Sequence, residues 1–236
     1  MPTQTATSLV PLFLFGVLVV IGALGMAIWY QTRRLALRNW RRFATEIQGE
    51  FKAKNSLAPE RVFGTLYNRP YVLEAGVSHE DDAPYYHTRG AFPIKNPSNF
   101  IMGLRRKSLL EEVQTLRERK TAGVSTENQS GSTTRIDVDD PDFERRFFVI
   151  SNQTEVATSL LNSEVRRELT RYPDIEIYVR INEIEWRRAG EIADMRVIQR
   201  LNDMLNEMVI AIDALPKRTI SLSERLAADE LIAKGI

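Results

Sequence analysis

The hydrophobic pattern of this chain is dominated by an uninterrupted apolar run near the N-terminus. Residues 9–30 read LVPLFLFGVLVVIGALGMAIWY, and no Asp, Glu, Lys or Arg occurs before Arg33. A helix of this length, at about 1.5 Å per residue, crosses a hydrocarbon core of about 30 Å. Because the run has no polar side, it predicts a membrane-spanning helix, preceded by a short non-cytoplasmic tail at residues 1–8.

Aromatic and basic side chains follow the apolar run in that order. Trp29 and Tyr30 close the run, at the position where amphipathic rings favour the headgroup layer of a bilayer. Five arginines, here called the basic collar, come directly afterwards: Arg33, Arg34, Arg38, Arg41 and Arg42. A cleaved signal peptide would carry its basic residues before a shorter apolar core, so this order favours an uncleaved anchor. The positive-inside rule then predicts a single-pass protein of the cell membrane, with its N-terminus outside and its C-terminal domain in the cytoplasm.

The positions after the collar predict a helix followed by strands. Trp40, Phe43, Ile47 and Phe51 recur every three or four residues, so the helix is expected to continue to Phe51. Residues 31–58 would then form a basic juxtamembrane helix and a linker. Strand-like residues at 61–67 and 71–77 flank the turn-like tripeptide Asn68-Arg69-Pro70, which predicts a hairpin. Two more strands are predicted at 85–92 and 100–106, with a polar loop at 79–84.

The second half of the chain has a clearer pattern. An aromatic-rich run from Phe143 to Ile150 is expected to end in a strand. Two short helices, two strands and one long helix are then predicted at 154–162, 163–172, 174–180, 181–186 and 192–215. The fold class that follows is α+β. The domain at residues 59–216 would combine antiparallel strands with a long C-terminal packing helix.

The long helix carries apolar residues at alternating spacings of three and four. They are Ile198, Leu201, Leu205, Met208, Ile212 and Leu215. This spacing is typical of a coiled-coil seam, but fewer than three heptads are present. A single helix laid across the sheet is therefore the favoured interpretation, and the coiled coil stays open as the alternative.

Two further segments are a loop within the predicted domain and a tail that follows it. Residues 121–134 are rich in Ser and Thr and lack periodicity, which predicts a mobile loop. Residues 217–236 are predicted to form a C-terminal helical tail, opened by a capping box at Ser221. Its apolar residues could contact a partner or dock on the domain itself: Leu226, Leu231 and Ile232.

Composition removes several classes of function. The chain of 236 residues has no cysteine, which excludes disulfides, thiolate zinc sites and iron–sulfur ligation. Its formal charge is +1, and five of its 32 basic side chains form the collar, which leaves 27 against 31 acidic ones in the rest. Because nucleic-acid binders usually carry a basic excess, no nucleic-acid partner is expected.

Candidate metal and nucleophile chemistry is sparse in this sequence. No nucleophile elbow, Walker loop or dinucleotide-binding glycine motif is present. An acidic, histidine-containing cluster could hold a divalent cation, although a solvated loop is the favoured interpretation: His79, Glu80, Asp81, Asp82 and His87. A second acidic cluster is better explained as a strand end and turn: Asp137, Asp139, Asp140 and Asp142.

Four tyrosines are the other candidate site. Tyr67, Tyr71, Tyr85 and Tyr86 could line a pocket, but cross-strand pairs in hairpins explain them more simply. We therefore expect no catalytic, cofactor-binding or metal-binding residue, and we identify no small-molecule substrate from the sequence.

One segment resembles a known family. Residues 140–152 read DPDFERRFFVISN and are followed by Ser159-Leu160-Leu161-Asn162. This D-x-x-F-x-x-x-F-x-V run, within a plan of anchor, basic collar, β-rich region, paired short helices and long helix, is similar to uncharacterised bacterial membrane-anchored proteins known only as a domain of unknown function. The resemblance implies the same architecture over residues 30–215 and assigns no site residues.

These features together favour a non-catalytic role at the membrane. The expected function is an accessory or scaffolding subunit of a larger bacterial membrane complex, such as an energy-converting one, with the bilayer and other integral membrane subunits as partners. The alternative is a membrane-tethered sensor domain that binds a small ligand or a lipid headgroup. The collar itself either sets topology, which is favoured, or also contacts anionic headgroups.

Overall fold

The computed structural model describes residues 9–53, 60–80, 83–107 and 134–218. It contains a long N-terminal helix, a nine-stranded antiparallel sheet and a long helix near the end of the described chain, so the α+β prediction is confirmed. Three predicted features lie outside the described residues: the tail at 1–8, the loop at 121–134, and the tail residues Leu226, Leu231 and Ile232.

Helix α1 spans Leu9–Glu46 and has two different environments along its length. Its large apolar side chains from Phe13 to Tyr30 are exposed, and it is the one described helix that is long and apolar enough to cross a membrane. Its second half enters the domain core through Trp40 and Phe43. The same helix is thus both the candidate membrane span and a structural element of the domain.

The predicted continuation of α1 to Phe51 is wrong. The helix ends at Glu46, and Gln48 takes a left-handed backbone conformation with φ of 51°. Residues Glu50–Lys52 then form strand β1, which pairs with β2. Phe51 matches the helical spacing of apolar residues, but it lies in strand β1 and pairs with Val62.

The strands form one sheet with the order β1-β2-β3-β4-β9-β8-β5-β7-β6. The remaining strands are β2 Glu60–Leu66, β3 Arg69–Glu80, β4 Ala83–Pro93, β5 Met102–Arg106, β6 Thr134–Arg135, β7 Phe147–Ser151, β8 Ile175–Val179 and β9 Glu183–Ala189. The expected hairpin of β2 and β3 is present, and its turn is made by Tyr67 and Asn68, which both have positive φ. The polar loop predicted at 79–84 is wrong in its extent, since His79 pairs with Pro84 and Glu80 with Ala83 as a continuation of β3 and β4.

Three short helices lie between β6 and β8. They are α2 Pro141–Arg146, α3 Thr154–Leu160 and α4 Ser163–Arg171. Asp140 caps α2 by accepting a hydrogen bond from the Phe143 N–H, and Asn162 caps α4 in the same way through the Val165 N–H. The two short helices predicted after Asn152 are confirmed.

Helix α5, Met195–Asp213, packs on one face of the sheet, here called the inner face. Leu201 and Leu205 are fully buried, and Trp186 of β9 donates a hydrogen bond from Nε1 to Oδ1 of Asn202 at 2.9 Å. The apolar stripe of the helix therefore faces its own sheet, which confirms the favoured interpretation over a coiled coil. One row of paired residues crosses the inner face of seven strands: Val62, Leu73, Gly90, Trp186, Ile177, Leu104 and Val149.

Candidate functional site at the junction of anchor and domain

An open pocket of about 430 Å³ lies where α1 leaves its apolar segment and meets the domain. We call it the collar pocket. Its lining comes from three parts of the chain: Trp29, Thr32 and Arg33 of α1, Tyr86 of β4, and Gly190 and Glu191 of the loop after β9. The volume falls within the range of about 300–1,000 Å³ that is usual for ligand sites.

The wall formed by α1 follows from helix geometry. Residues three and four apart share one face of a helix, so Trp29, Thr32 and Arg33 point in the same direction. The rotation of the helix is set further along. Trp40 donates from Nε1 to the Ile192 carbonyl at 3.0 Å, and Asn39 donates from Nδ2 to the Ala193 carbonyl at 2.8 Å. These two contacts fix which face of α1 is turned towards the domain.

The opposite wall is held by backbone contacts of the loop after β9. The Gly190 N–H donates to the Tyr86 carbonyl at 2.9 Å, and Gly190 has φ of +75°, a conformation that favours glycine. The hydroxyl of Thr88 donates to the Gly190 carbonyl at 2.7 Å and accepts from the Ile192 N–H at 3.1 Å. Glu191 is therefore presented from a loop that is fixed on both sides.

Arg33 is the described cation that lines the pocket. Arg33 donates to Oε1 of Glu60 at 2.7 Å, and its guanidinium lies 5.4 Å from the centre of the Trp29 ring. The Glu60 side chain is only 3% exposed, and its Oε2 has no hydrogen-bond partner among the described residues. Arg33 thus pairs with the buried carboxylate of Glu60, and the carboxylate of Glu191 lies close enough to act on the same guanidinium.

Tyr86 contributes a neutral hydroxyl to this group. Burial, followed by the nearby carboxylates of Glu191 and Glu60, raises the pKa of Tyr86 to about 12. The phenol therefore stays protonated at neutral pH and can donate a hydrogen bond. The lining as a whole combines two aromatic rings, hydrogen-bond donors and the carboxylate of Glu191, a set that suits a small polar ligand.

A second notable surface is the face of the sheet that points away from the helices, here called the outer face. The described helices bury their apolar side chains in the core on the inner face. A row of paired residues with mostly alternating charge crosses the outer face: Arg61, Glu74, Arg89, Arg187 and Glu176. The row connects β2, β3, β4, β9 and β8 through side chains as well as through backbone pairing.

Glu185 is the centre of the ion pairs on the outer face. It is fully buried and contacts Arg89, while Arg187 lies at 2.9 Å and Arg180 at 3.2 Å from its Oε1. Burial acts to raise the pKa of Glu185, but the three guanidinium groups outweigh it and hold that pKa below its usual value. The carboxylate is therefore ionised, and it holds three arginines in place.

Arginine and aromatic side chains extend the outer face towards β6. The guanidinium groups of Arg105 and Arg135 lie 5.2 Å and 5.6 Å from the centre of the Phe148 ring. Arg187 lies 4.9 Å from the Tyr178 ring in the same way. Such cation–π contacts restrict the orientation of the three arginine side chains.

The five arginines of the basic collar have different surroundings in the structure. Arg33 is the collar residue that lines the pocket, whereas Arg34 lies over Tyr30 and Arg41 over Phe51. Arg42 pairs with Glu46 at 3.0 Å, and Arg38 is exposed.

The side chain of Tyr85 lies outside the described part of the chain, and the other three candidate tyrosines occupy different places. Tyr86 lines the collar pocket. Tyr67 lines a second pocket of about 320 Å³ and hydrogen-bonds Asp203. Tyr71 is buried against Phe92. Their strand partners are not tyrosines, since Tyr71 pairs with Gly64 and Tyr86 with Val77.

The structure describes the positions of some residues of the two predicted acidic clusters. The side chains of residues 79–82 lie outside the described part of the chain, and His87 is buried in β4. Asp140 serves as a helix cap and pairs with Arg166 at 3.0 Å. No group of three or more His, Cys, Asp or Glu side chains that could hold a metal ion occurs among the described residues.

Sequence reasoning missed Glu60 and Glu191. One signal for Glu60 was available, because it alternates with Val62 in a strand and so faces inward, where a carboxylate needs a cation. Glu191 lies in a loop, and no local pattern distinguishes it from a solvated residue.

No family model and no curated protein matches this chain. One solved structure that resembles it is described as the crystal structure of the mycobacterial trehalose monomycolate transport factor A, TtfA. The TM-score is 0.48 at 12% sequence identity, and the match covers 77% of this chain and 98% of that chain. This likeness assigns no activity to the protein.

Proposed function

We propose that this protein is a non-catalytic, membrane-anchored accessory or scaffolding subunit of a larger bacterial membrane protein complex. The supporting observation is the continuity of α1, which runs for 38 residues from the exposed apolar segment into the domain core. At about 1.5 Å per residue this is a single rod of about 57 Å. A domain mounted on such a rod keeps a fixed orientation relative to the membrane.

The attachment of α1 to the domain is specific as well as apolar. Trp40 is fully buried and hydrogen-bonded, and Arg33 pairs with Glu60. A flexible linker would let the domain turn freely, whereas these contacts prevent rotation about the α1 axis. The outer face of the sheet then keeps one direction relative to the membrane, which suits a lasting contact with a neighbouring protein.

The chemistry of the outer face suits a protein partner. Arginine and aromatic residues are enriched at interfaces, and Arg105, Arg135 and Phe148 form such a group. Because the arginines are already held by aromatic rings and carboxylates, little side-chain entropy is lost when a partner binds. We infer that this group contacts an integral membrane subunit.

The proposed topology follows from the basic collar. The arginines lie on the domain side of the apolar segment, so the domain is placed in the cytoplasm and the N-terminus outside the cell membrane. A reporter fused after Ile236 should be active as a cytoplasmic fusion. If a reporter that is active only outside the cytoplasm were active at the same position, this topology would be contradicted.

Partner retention tests the subunit proposal. The full chain is purified in mild detergent, and the proteins that co-purify with it are identified by native mass spectrometry. The double variant Arg105→Glu and Arg135→Glu should lose the retained subunit. Arg167→Glu is the matched control, since Arg167 is 65% exposed on α4 and pairs with Glu164 at 3.4 Å. Equal retention by all three proteins, or the absence of any stoichiometric subunit, would refute the proposal.

The second candidate function is a membrane-tethered sensor that binds a small ligand or a lipid headgroup. The collar pocket favours it, because its lining brings the Arg33 guanidinium, the Tyr86 phenol and the Glu191 carboxylate to the end of the candidate membrane span. A sensor of this kind and an accessory subunit are compatible, since the pocket and the outer face are different surfaces.

A further inference from the structure

We propose that the second pocket, which Tyr67 lines, binds a small neutral ligand that presents an amide group next to an apolar body. We call it the hairpin pocket. Its volume of about 320 Å³ lies within the range of about 300–1,000 Å³ that is usual for ligand sites. The site is separate from the collar pocket and rests on neither proposed function, so its failure would leave both in place.

Three elements that are distant in sequence form the hairpin pocket. Residues three and four apart on α1, and again on α5, line it, and the turn between β2 and β3 closes its third side. Its floor is made of the buried side chains of Phe43, Ile47 and Asn202, with the half-buried Leu66 beside them. Exposed polar side chains form the rim: Glu46, Tyr67, Gln199 and Asp203.

The Asn202 amide is a buried polar group without a full set of partners. Its side chain is fully buried, and its Oδ1 accepts from Nε1 of Trp186 at 2.9 Å, which fixes the orientation of the amide because an indole N–H can only donate. Nδ2 of Asn202 has no hydrogen-bond partner among the described residues. Because a buried N–H without an acceptor is destabilising, the two donors of Nδ2 require an acceptor from outside the described chain.

A second buried donor lies beside this amide. The Tyr71 hydroxyl has no hydrogen-bond partner among the described residues. Burial raises the pKa of Tyr71, and the nearby Asn202 amide lowers it by less, so the phenol keeps its proton at neutral pH. If the amide turned one N–H towards the Tyr71 oxygen, its second N–H and the phenol O–H would still need acceptors. The deep end of the pocket therefore offers more donors than acceptors, which selects a ligand with an acceptor oxygen.

The charges around the hairpin pocket favour a neutral ligand. No Lys, Arg or His is among the described residues that line it, so a carboxylate or a phosphate would lose its water without gaining a cation. The two carboxylates of the rim already have partners, since Glu46 pairs with Arg42 at 3.0 Å and Asp203 accepts from the Tyr67 hydroxyl. They need no cationic ligand to balance them. The oxygen that reaches Asn202 is therefore a neutral one.

An amide carbonyl fits the pocket better than the hydroxyls of a saccharide do. A saccharide carries hydroxyls around most of its ring, and several of them would face Phe43, Ile47 and Leu66 without partners. An amide has one strong acceptor, with N–H donors on its other side, and leaves the rest of the ligand apolar. Its carbonyl can accept from Asn202 at the floor, while its N–H groups can reach acceptors at the rim such as the Gln199 amide oxygen.

Ligand-observed NMR of the full chain in deuterated detergent tests the inference with three probes of one shape. They are 3-phenylpropanamide, 3-phenylpropanoate and 3-phenylpropylamine, which carry a neutral amide, an anion and a cation on the same body. The amide should bind about tenfold more tightly than either ion, the ratio expected when a buried donor is left without an acceptor. Tighter binding of the anion, of the cation, or of glucose as a fourth probe would overturn the proposal. Absence of saturable amide binding would overturn it too, because water would then satisfy the donors.

Variants assign the binding to the hairpin pocket. Gln199→Trp places an indole at the rim and should abolish saturable binding of the amide, whereas Ile210→Trp, at an exposed position about 16 Å further along α5, should leave it unchanged. Equal binding by these two variants would show that the probe binds elsewhere. Asn202→Ala should weaken amide binding about tenfold, and unchanged affinity would refute the role of its N–H groups. Because Asn202→Ala also removes the acceptor of Trp186, its thermal melt is recorded alongside, and if it does not fold the other two variants decide.

Discussion

Replacing Leu205 with alanine measures how much the domain depends on α5 packing against the sheet. Leu205 is fully buried in the main core cluster, which also contains Trp186. Truncating a buried leucine to alanine costs about 2–5 kcal/mol, because the transfer free energy is lost and a cavity stays behind. In a domain of this size, each kcal/mol lowers the melting temperature by about 2–4 °C. We therefore expect Leu205→Ala to lower it by about 4–20 °C.

The matched control lies on the same helix. Ile210 is 56% exposed, so Ile210→Ala removes a side chain of the same size from the solvent side. Exposed substitutions of this kind usually stay within about 0.5 kcal/mol, which corresponds to no more than about 2 °C.

Tryptophan fluorescence provides the assay, with the full chain in detergent. Trp40 and Trp186 are fully buried and report unfolding of the core, whereas Trp29 is 61% exposed and contributes a nearly constant signal. Equal shifts for Leu205→Ala and Ile210→Ala would refute the packing of α5 on the sheet. An unshifted melt with loss of association would indicate a seam with a partner helix instead.

Two further substitutions test the core and the loop before β5. Gly90→Ala would place a Cβ 2.5 Å from the indole of Trp186, so it should destabilise the domain by about 1–3 kcal/mol in the same melt, while Gly22→Ala, with nothing within 4 Å, should not. Burial raises the pKa of Asp213, but hydrogen bonds from Arg69 and two backbone N–H groups lower it more, so the folded-state pKa lies below the unfolded one. The resulting stability is present above about pH 4 and is lost as the pH falls through the folded-state pKa. Asp213→Asn should therefore flatten the decline measured by denaturant unfolding at acid pH, and an unchanged decline would contradict this role.

Sequence periodicity predicted those elements whose burial pattern is local. The hairpin of β2 and β3, the short helices α3 and α4, and the stripe of α5 each reveal their buried side through spacing alone. The predictions for Phe51 and for residues 79–84 were wrong because spacing says nothing about where a helix ends or how far a hairpin extends. The end of α1 depends on pairing of β1 with β2, and the long β3–β4 hairpin depends on register.

The apolar segment, the basic collar and the α+β pattern can be predicted from the amino-acid order, because each depends on residues that are neighbours along the chain. Which collar arginine turns towards the domain depends on contacts between distant segments. Arg33 meets Glu60, 27 residues away, because Trp40 bonds Ile192, 152 residues away, and so sets the rotation of α1. The collar pocket arises from that rotation, since its walls come from three distant segments whose meeting no local pattern encodes.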